Sequence, residues 1–141
     1  MASSSRIIRL TFLGGALGTA ARFTLSLTLG DVPSIIFVNL LGAALLGWFN
    51  GNPKNDTDEF NTFWKVGFTG GFTTMSGVAL LSATGIAAQL SAGQTVSYSL
   101  FGFVLLIFAA SLLAYWGAHA LGTRLTGNNA AVSHDVEEVT E

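Results

Sequence analysis

Residues 67–76 read GFTGGFTTMS, and they lie near the start of a 58-residue span, 66–123, that contains no Lys, Arg, Asp or Glu. One transmembrane helix needs about 20 predominantly apolar residues, so this span is long enough for more than one crossing. The glycines and threonines of 67–76 weaken a helix and free backbone polar groups. At membrane depth such backbone is tolerated only where it is buried in protein or lines a cavity. The segment therefore predicts an ion or solute path.

The composition is that of a membrane protein. The chain is 50% hydrophobic and 10% charged, whereas about a quarter of the residues are charged in soluble domains. With no cysteine, it has no disulfide framework and no thiol metal site. Four of its eight acidic residues fall within 135–141, a charge pattern typical of disorder. We predict an all-α membrane protein with one transmembrane domain, 1–124, and a disordered acidic tail, 125–141, and no nucleic-acid partner is indicated.

The apolar segments predict four transmembrane helices, the third of them broken within 67–76. A polar loop, 52–59, separates the second helix from the third, and only residues 92–94 connect the third to the fourth. The four predicted helices run from Ile7 to Leu29, Pro33 to Gly51, Phe63 to Ser91 and Thr95 to Gly122.

Small residues recur at four-residue spacing along these helices. In lipid this spacing lets helix backbones approach closely, because helix association there depends on packing and hydrogen bonds. We expect most of these residues to pack within the subunit and a few to serve a subunit interface. They are Gly14 and Gly18, Gly67 and Gly71, and Ala114, Ala118 and Gly122.

Two polar side chains fall within predicted helices. Asn39 lies midway along the second helix, where an unpaired amide would cost roughly several kcal/mol in hydrocarbon. It either forms an interhelical hydrogen bond or coordinates a small anion through its amide donors. Arg22 lies within the first helix, and its long side chain either reaches the membrane interface or serves a functional site.

The positions of the acidic residues disfavour a proton-coupled or cation-binding carboxylate mechanism, which intramembrane acids usually signal. Asp31 lies in a predicted turn, and Asp56, Asp58 and Glu59 lie in the polar loop. The sequence shows no Ser/His/Asp arrangement, no His/Cys cluster and no phosphate-binding glycine loop followed by Lys. We therefore do not expect an enzyme.

Three segments resemble the signature segments of the Fluc (CrcB) fluoride channel family. They read GGALGTAARF at 14–23, VNLLG at 38–42 with Gly47 beyond it, and GGFTTMS at 70–76. Their order and spacing match the family over the first three helices, and the predicted number of helices matches too. Each segment alone is weak, but together they are specific.

The resemblance implies an antiparallel dimer of four-helix subunits with two pores, which passively releases fluoride from the cytoplasm. Carbonyls of Gly70 and Thr73 would help to hold a structural sodium ion shared between the subunits, since freed carbonyls are good ligands for a hard cation. Asn39 would line the anion path, and Arg22 would lie near a vestibule. The other predicted pore residues are Thr74, Met75, Ser76, whose hydroxyl would donate, and Val78.

The sequence departs from the family in the third and fourth helices. Two third-helix positions typically hold phenylalanines, whose electropositive ring edges can meet fluoride. Here those positions are Met75 and Val78, and the threonine often found between them is Gly77. A tyrosine and a serine of the family's fourth helix correspond to Phe103 and Ile107. A subunit with these replacements lacks many of the aromatic and polar side chains that line the pore in the family.

The basic residues are distributed unevenly about the predicted helices. The N-terminus, the middle loop and the C-terminus share one side with five basic residues, whereas the other side has only Arg22, within a helix. We expect the protein to lie in the cell membrane, and the positive-inside rule predicts that both of its termini are cytoplasmic. An antiparallel homodimer must insert both ways, which this asymmetry disfavours, so we expect an oppositely oriented homologous partner. The five basic residues are Arg6, Arg9, Lys54, Lys65 and Arg124.

We therefore interpret the chain as one half of a heterodimeric fluoride channel. One alternative is a structural partner subunit that contributes packing surface and sodium ligands but does not conduct. Another is a small multidrug-type exporter, which is disfavoured because that mechanism requires an intramembrane carboxylate.

Overall fold

The computed structural model describes residues 4–52, 56–95 and 98–138, and all regular secondary structure in these ranges is helical, which confirms the predicted fold class. Lys54 of the predicted basic set lies outside the described residues. The predicted third helix is divided into two helices. The first of them has three consecutive parts: α-helix Asp58–Phe60, π-helix Asn61–Phe68 and α-helix Thr69–Phe72. We call these parts together α3 (58–72). The other helices are α1 (Ser4–Leu29), α2 (Asp31–Gly51), α4 (Met75–Ser91) and α5 (Tyr98–Glu138).

The turn between α1 and α2 consists of a single residue, Gly30. Its φ of 79° lies in the left-handed region, which glycine adopts at no steric cost. The carbonyl of Gly30 accepts a hydrogen bond from the Ser34 N–H at 3.2 Å, and Pro33 occupies the first turn of α2, where its missing N–H is not needed. The chain therefore reverses sharply here, as the sequence predicts.

The helices pack in two main pairs, α1 along α3 and α2 along α5. Glycine permits both close approaches. A Cβ at Gly18 would collide with the carbonyl oxygen of Phe68 in α3, and one at Gly47 would collide with that of Tyr115 in α5. These contacts confirm the expectation that small residues, including the predicted Gly18, pack within the subunit.

The third helix is broken at Thr73 and Thr74. Thr73 has a ψ of 158° and Thr74 has φ −145° and ψ 109°, so both are extended rather than helical. A new helix, α4, begins at Met75, where the Oγ1 of Thr74 accepts the Gly77 N–H at 2.9 Å as a helix cap. The predicted break is confirmed, and it falls within the predicted segment.

The π-helical part of α3 was not expected from the sequence, which predicts a regular helix beginning at Phe63. Thr69 supports this wider turn, because its Oγ1 donates to the carbonyls of Trp64, at 2.8 Å, and Lys65. The helix also begins earlier than predicted, at Asp58, because Thr57 Oγ1 accepts the N–H of Phe60 at 3.2 Å and caps it.

Within the residues that the structure describes, three helical segments are long and apolar enough to cross a membrane by length and composition, which supports a multi-pass membrane protein. With 26 residues, α1 has sufficient length but is not one of the three, and it carries three arginines. Four transmembrane helices and an antiparallel dimer therefore stay predictions. The three segments are Asp31–Gly51, Asp58–Ser91 and Phe101–Gly127.

The C-terminal part of the chain continues as helix. α5 runs to Glu138, whereas the sequence predicts a fourth helix ending at Gly122 and a disordered tail from residue 125. Residues 139–141 of the predicted tail lie outside the described part of the chain. The division into a domain, 1–124, and a tail, 125–141, stays a prediction.

Candidate functional site

The break in the third helix is bridged by the side chain of Asn39 in α2. Asn39 Oδ1 accepts a hydrogen bond from the backbone N–H of Thr74 at 2.9 Å, and Asn39 Nδ2 donates to the carbonyl of Thr74 at 3.2 Å. The same Nδ2 donates to the carbonyl of Ile35 at 2.9 Å. Because a side-chain amide has two hydrogens, both are used. Of the two sequence-based interpretations of Asn39, the interhelical hydrogen bond is formed, and a role in donating to an anion stays a prediction.

Two carbonyls at the break lose their regular helical donors. In an α-helix the carbonyl of residue i accepts the N–H of residue i+4. The N–H of Thr74, the regular donor to Gly70, donates instead to Asn39 Oδ1. The N–H of Gly77, the regular donor to Thr73, donates instead to Thr74 Oγ1. The Gly70 and Thr73 carbonyls therefore fit the role of ligands for a hard cation, as unwound backbone does in other membrane proteins.

A cavity of about 330 Å³ lies between α2, the break and α5, and we call it the α2–α5 groove. Its space depends on Gly42, since a Cβ there would collide with the methyl group of Thr73. Predicted site residues from three helices, α2, α3 and α4, and from the break thus meet at one cavity. Those that line the groove are Asn39, Gly70, Thr73, Met75 and Val78.

The groove wall at the predicted phenylalanine positions is aliphatic. Met75 is exposed and Val78 is buried, and both line the groove. Phe108 of α5 is the one aromatic side chain among the described residues that line it. Ile107, which the resemblance places at a polar position, also lines the groove and is buried, whereas Phe103 is not among the lining residues. This subunit therefore offers few ring edges to an anion.

A second cavity, of about 720 Å³, lies between α1, α2 and α4. Arg22 and Thr74, two predicted site residues, line this cavity rather than the α2–α5 groove. Ser76 lines neither of the two cavities, and its Oγ lies 3.3 Å from Thr74 Oγ1. The structure therefore divides the predicted site residues between two cavities on either side of the break.

Three polar residues of the α2–α5 groove were missed by the sequence analysis as site residues: Lys65, Thr69 and Ser111. A signal for two of them was present, because Lys65, Thr69 and Thr73 follow one another at four-residue spacing, which places side chains on one helix face. Ser111 Oγ is buried and has no hydrogen-bond partner among the described residues. No sequence pattern singles it out.

Lys65, which lines the groove, forms an ion pair with Asp56, which does not. Lys65 Nζ is 3.6 Å from Asp56 Oδ1, and the Lys65 side chain is 15% exposed against 69% for Asp56. Asn61 Nδ2 donates to the same Oδ1 at 2.9 Å. The hydrogen bond from Asn61 and then the charge of Lys65 hold the pKa of the Asp56 carboxyl below its usual range. Asp56 is therefore ionised at neutral pH.

The chain matches a known protein family over most of its length. The family described as CrcB-like protein, camphor resistance (CrcB), matches residues 9–119, which include α2, α3, α4 and the break. The chain belongs to the CrcB family. Its match covers every predicted site residue, so the resemblance based on three short segments is confirmed over most of the chain.

Several curated relatives in the CrcB family are named as fluoride-specific ion channels. FluC 2 of Corynebacterium jeikeium is 32% identical, over 74% of this chain and 75% of the relative. FluC of Paramagnetospirillum magneticum is 32% identical, over 81% of this chain and 93% of the relative. FluC 1 of Corynebacterium glutamicum is 44% identical, and the match spans 48% of this chain and 62% of the length of that relative. These names describe ion channels, which fits the expectation of a protein that is not an enzyme.

Proposed function

We propose that the chain is a subunit of a passive, fluoride-selective channel that exports cytoplasmic fluoride. The observation that carries the proposal is the broken third helix beside the α2–α5 groove, in a CrcB-family chain whose relatives are named as fluoride-specific ion channels. Irregular backbone at membrane depth is expected only where it serves a cavity. Residues 32–51 and 60–127 contain no Asp or Glu, which favours a channel over a carboxylate-coupled exporter.

A structural sodium ion shared between two subunits belongs to the proposal. The Gly70 and Thr73 carbonyls would hold it, because Asn39 and the Thr74 hydroxyl occupy the N–H groups that would otherwise donate to them. Gly70 faces open space, since a Cβ there would meet no atom within 4 Å. When bound, such an ion would supply positive charge that favours an anion nearby.

The partner in this proposal is a homologous subunit of opposite orientation, in the cell membrane. Two contacts support a shared side for the termini and the middle loop. Arg6 Nη1 lies 3.2 Å from Glu59 Oε1, and Gly51 at the end of α2 lies against the carbonyl of His119 in α5. The basic residues near these positions therefore lie at one end of the molecule, and the positive-inside rule places that end in the cytoplasm.

A non-conducting structural subunit is the second candidate. The aliphatic Met75 and Val78 in the groove favour it, because ring edges are missing where the family has phenylalanines. In this case the partner would supply the working pore, and this chain would contribute packing surface and the Gly70 and Thr73 carbonyls.

The proposed function is tested by fluoride efflux from liposomes, measured with a fluoride electrode. The chain is co-expressed and purified with a CrcB-family subunit that has phenylalanines at the positions of Met75 and Val78. We expect fluoride efflux with little chloride efflux under the same gradient. Equal efflux of the two anions contradicts fluoride selectivity.

The two candidate functions predict different fluoride efflux for the double variant of this chain, Met75→Phe with Val78→Phe. If this chain lines a working pore, the added rings raise fluoride efflux, whereas Met75→Phe alone restores little. If it is a structural subunit, efflux follows the partner and is unchanged by both variants.

A further inference from the structure

The polar side chains of the α2–α5 groove differ in whether they keep a hydrogen-bond donor for an ion. Asn39 uses both amide hydrogens on backbone carbonyls. The hydroxyls of Thr69 and Thr73 likewise donate to backbone carbonyls, that of Thr73 at 2.9 Å. Because a hydroxyl has a single donor hydrogen, these three side chains present only acceptor atoms to the groove. An anion in the groove requires donors from elsewhere.

Lys65 and Ser111 are the polar side chains of the groove that keep donors. The ammonium of Lys65 has three hydrogens, and its one described ionic partner, Asp56, is 3.6 Å away. This distance exceeds the roughly 2.7–2.9 Å of a charge-assisted hydrogen bond, so the pair is loose. Ser111 Oγ is buried on the opposite wall of the groove without a described partner.

We propose that Lys65 forms a binding site for a small monovalent anion in the α2–α5 groove, with Asp56 as a competing counter-ion at its mouth. The inference rests on the proposed function, under which the anion is fluoride. Lys65 has a side chain only 15% exposed and is the one charged residue among the described residues that line the groove, so its positive charge concentrates anions there.

Asp56 sets how strongly Lys65 attracts an anion. Its carboxylate is mostly exposed and is ionised at neutral pH, so it neutralises part of the ammonium charge. Because Asp56 is 69% exposed and lies 3.6 Å from the ammonium, this ion pair contributes little free energy, so an anion in the groove competes with it. Removing the carboxylate therefore strengthens anion binding, whereas removing the ammonium weakens it.

The test is fluoride binding to the full chain in detergent micelles at constant ionic strength, followed by ¹⁹F NMR titration. We expect Lys65→Gln to weaken binding about tenfold, the order expected for losing one hydrogen bond to a charged group. Lys65→Arg keeps the charge and should retain most of the affinity. Asp56→Asn should tighten binding about two- to fivefold, as expected for release of Lys65 from an ion pair with an exposed carboxylate.

Arg6→Gln is the matched control, because it also removes one basic residue of an exposed ion pair, that with Glu59, at the same end of the molecule. It should leave fluoride affinity unchanged. Wild-type affinity in Lys65→Gln, no fluoride binding by the wild type, or unchanged affinity in Asp56→Asn each overturns the site. If Lys65→Gln does not fold, Asp56→Asn decides alone.

Efflux separates the two proposals. Fluoride binding that depends on Lys65 without fluoride efflux contradicts the channel and leaves the site standing. Selective fluoride efflux with a Lys65-independent affinity contradicts the site and leaves the channel standing.

Discussion

At the scale of single residues, Asn39 bridges the break in the third helix. Its amide pairs with both backbone groups of Thr74, as a neighbouring strand would, and so holds the third helix open. An asparagine lies within this apolar helix because its side chain forms hydrogen bonds with the backbone at the break, where the regular helical hydrogen bonds are absent. Its effect on an ion site is indirect, because it engages the N–H that would otherwise donate to the Gly70 carbonyl.

We predict that Asn39→Leu lowers stability, because it leaves the N–H of Thr74, a residue that is 7% exposed, without its acceptor. Each unsatisfied group costs about 1–3 kcal/mol. The measurement is the thermal unfolding midpoint in detergent. Asn39→Asp keeps an oxygen that can accept the Thr74 N–H, but it places a second oxygen against the carbonyls of Ile35 and Thr74, so it should also lower stability.

The matched control for this prediction is Asn50→Leu, the same change on the same helix at an exposed residue whose amide reaches Tyr115 Oη at 3.3 Å. It should have a small effect. Equal midpoints for Asn39→Leu and Asn50→Leu would show that the bridge across the break contributes nothing to stability.

At the scale of helices, glycine determines which elements pair. α2 approaches α5 so closely at Gly47 that a single added carbon would overlap the Tyr115 backbone, and α1 approaches α3 in the same way at Gly18. Without a hydrophobic driving force between helices in lipid, such backbone proximity is a main source of attraction. The two pairs position the groove, because α2 and α5 form two of its walls.

We predict that Gly47→Ala destabilises the fold, although alanine favours an isolated helix by about 1 kcal/mol over glycine. The added Cβ would force α2 and α5 apart, and such overpacking costs about 1–3 kcal/mol. Thermal unfolding in detergent measures the effect. Gly117→Ala in α5 is the control, since its Cβ would meet no atom within 4 Å, and it should be neutral or stabilising. A Gly47→Ala protein as stable as this control would contradict close packing at Gly47.

At the scale of the whole molecule, two contacts bring together helix ends that lie near basic residues. The Arg6–Glu59 ion pair joins the start of α1 to the start of α3, and Gly51 against His119 joins the end of α2 to the later part of α5. Basic residues thus cluster at one end, whereas Arg22 lies alone at the second cavity. This asymmetry is the basis for proposing a partner of opposite orientation.

We predict that a reporter fused at Glu141 reads cytoplasmic in nearly all molecules, because five basic residues against one fix the insertion. Topology reporters in growing cells measure this. Changing Arg6, Arg9 and Lys65 together to Gln should produce a mixed population. A mixed population of the unchanged chain would instead support a dual-topology homodimer.

The sequence by itself determined the class of the molecule, the position of the break and the family. These follow from local properties: the absence of charge over 66–123, the glycines and threonines of 67–76, and motif segments read in order. They need no knowledge of neighbours, because apolar length and helix-weakening residues act along the chain.

Only the tertiary structure decided what the site residues do. The N–H of Thr74 could donate to the carbonyl of Gly70, four residues away, or to Oδ1 of Asn39, 35 residues away. Only the packing of α2 against the break brings Asn39 Oδ1 to 2.9 Å from this N–H. The same packing puts Lys65 and Ser111 into one groove and separates Arg22 and Thr74 from it. Each hydrogen-bond donor pairs with the acceptor that the fold brings close to it. Because those acceptors lie in distant segments, the local sequence does not predict which one is used.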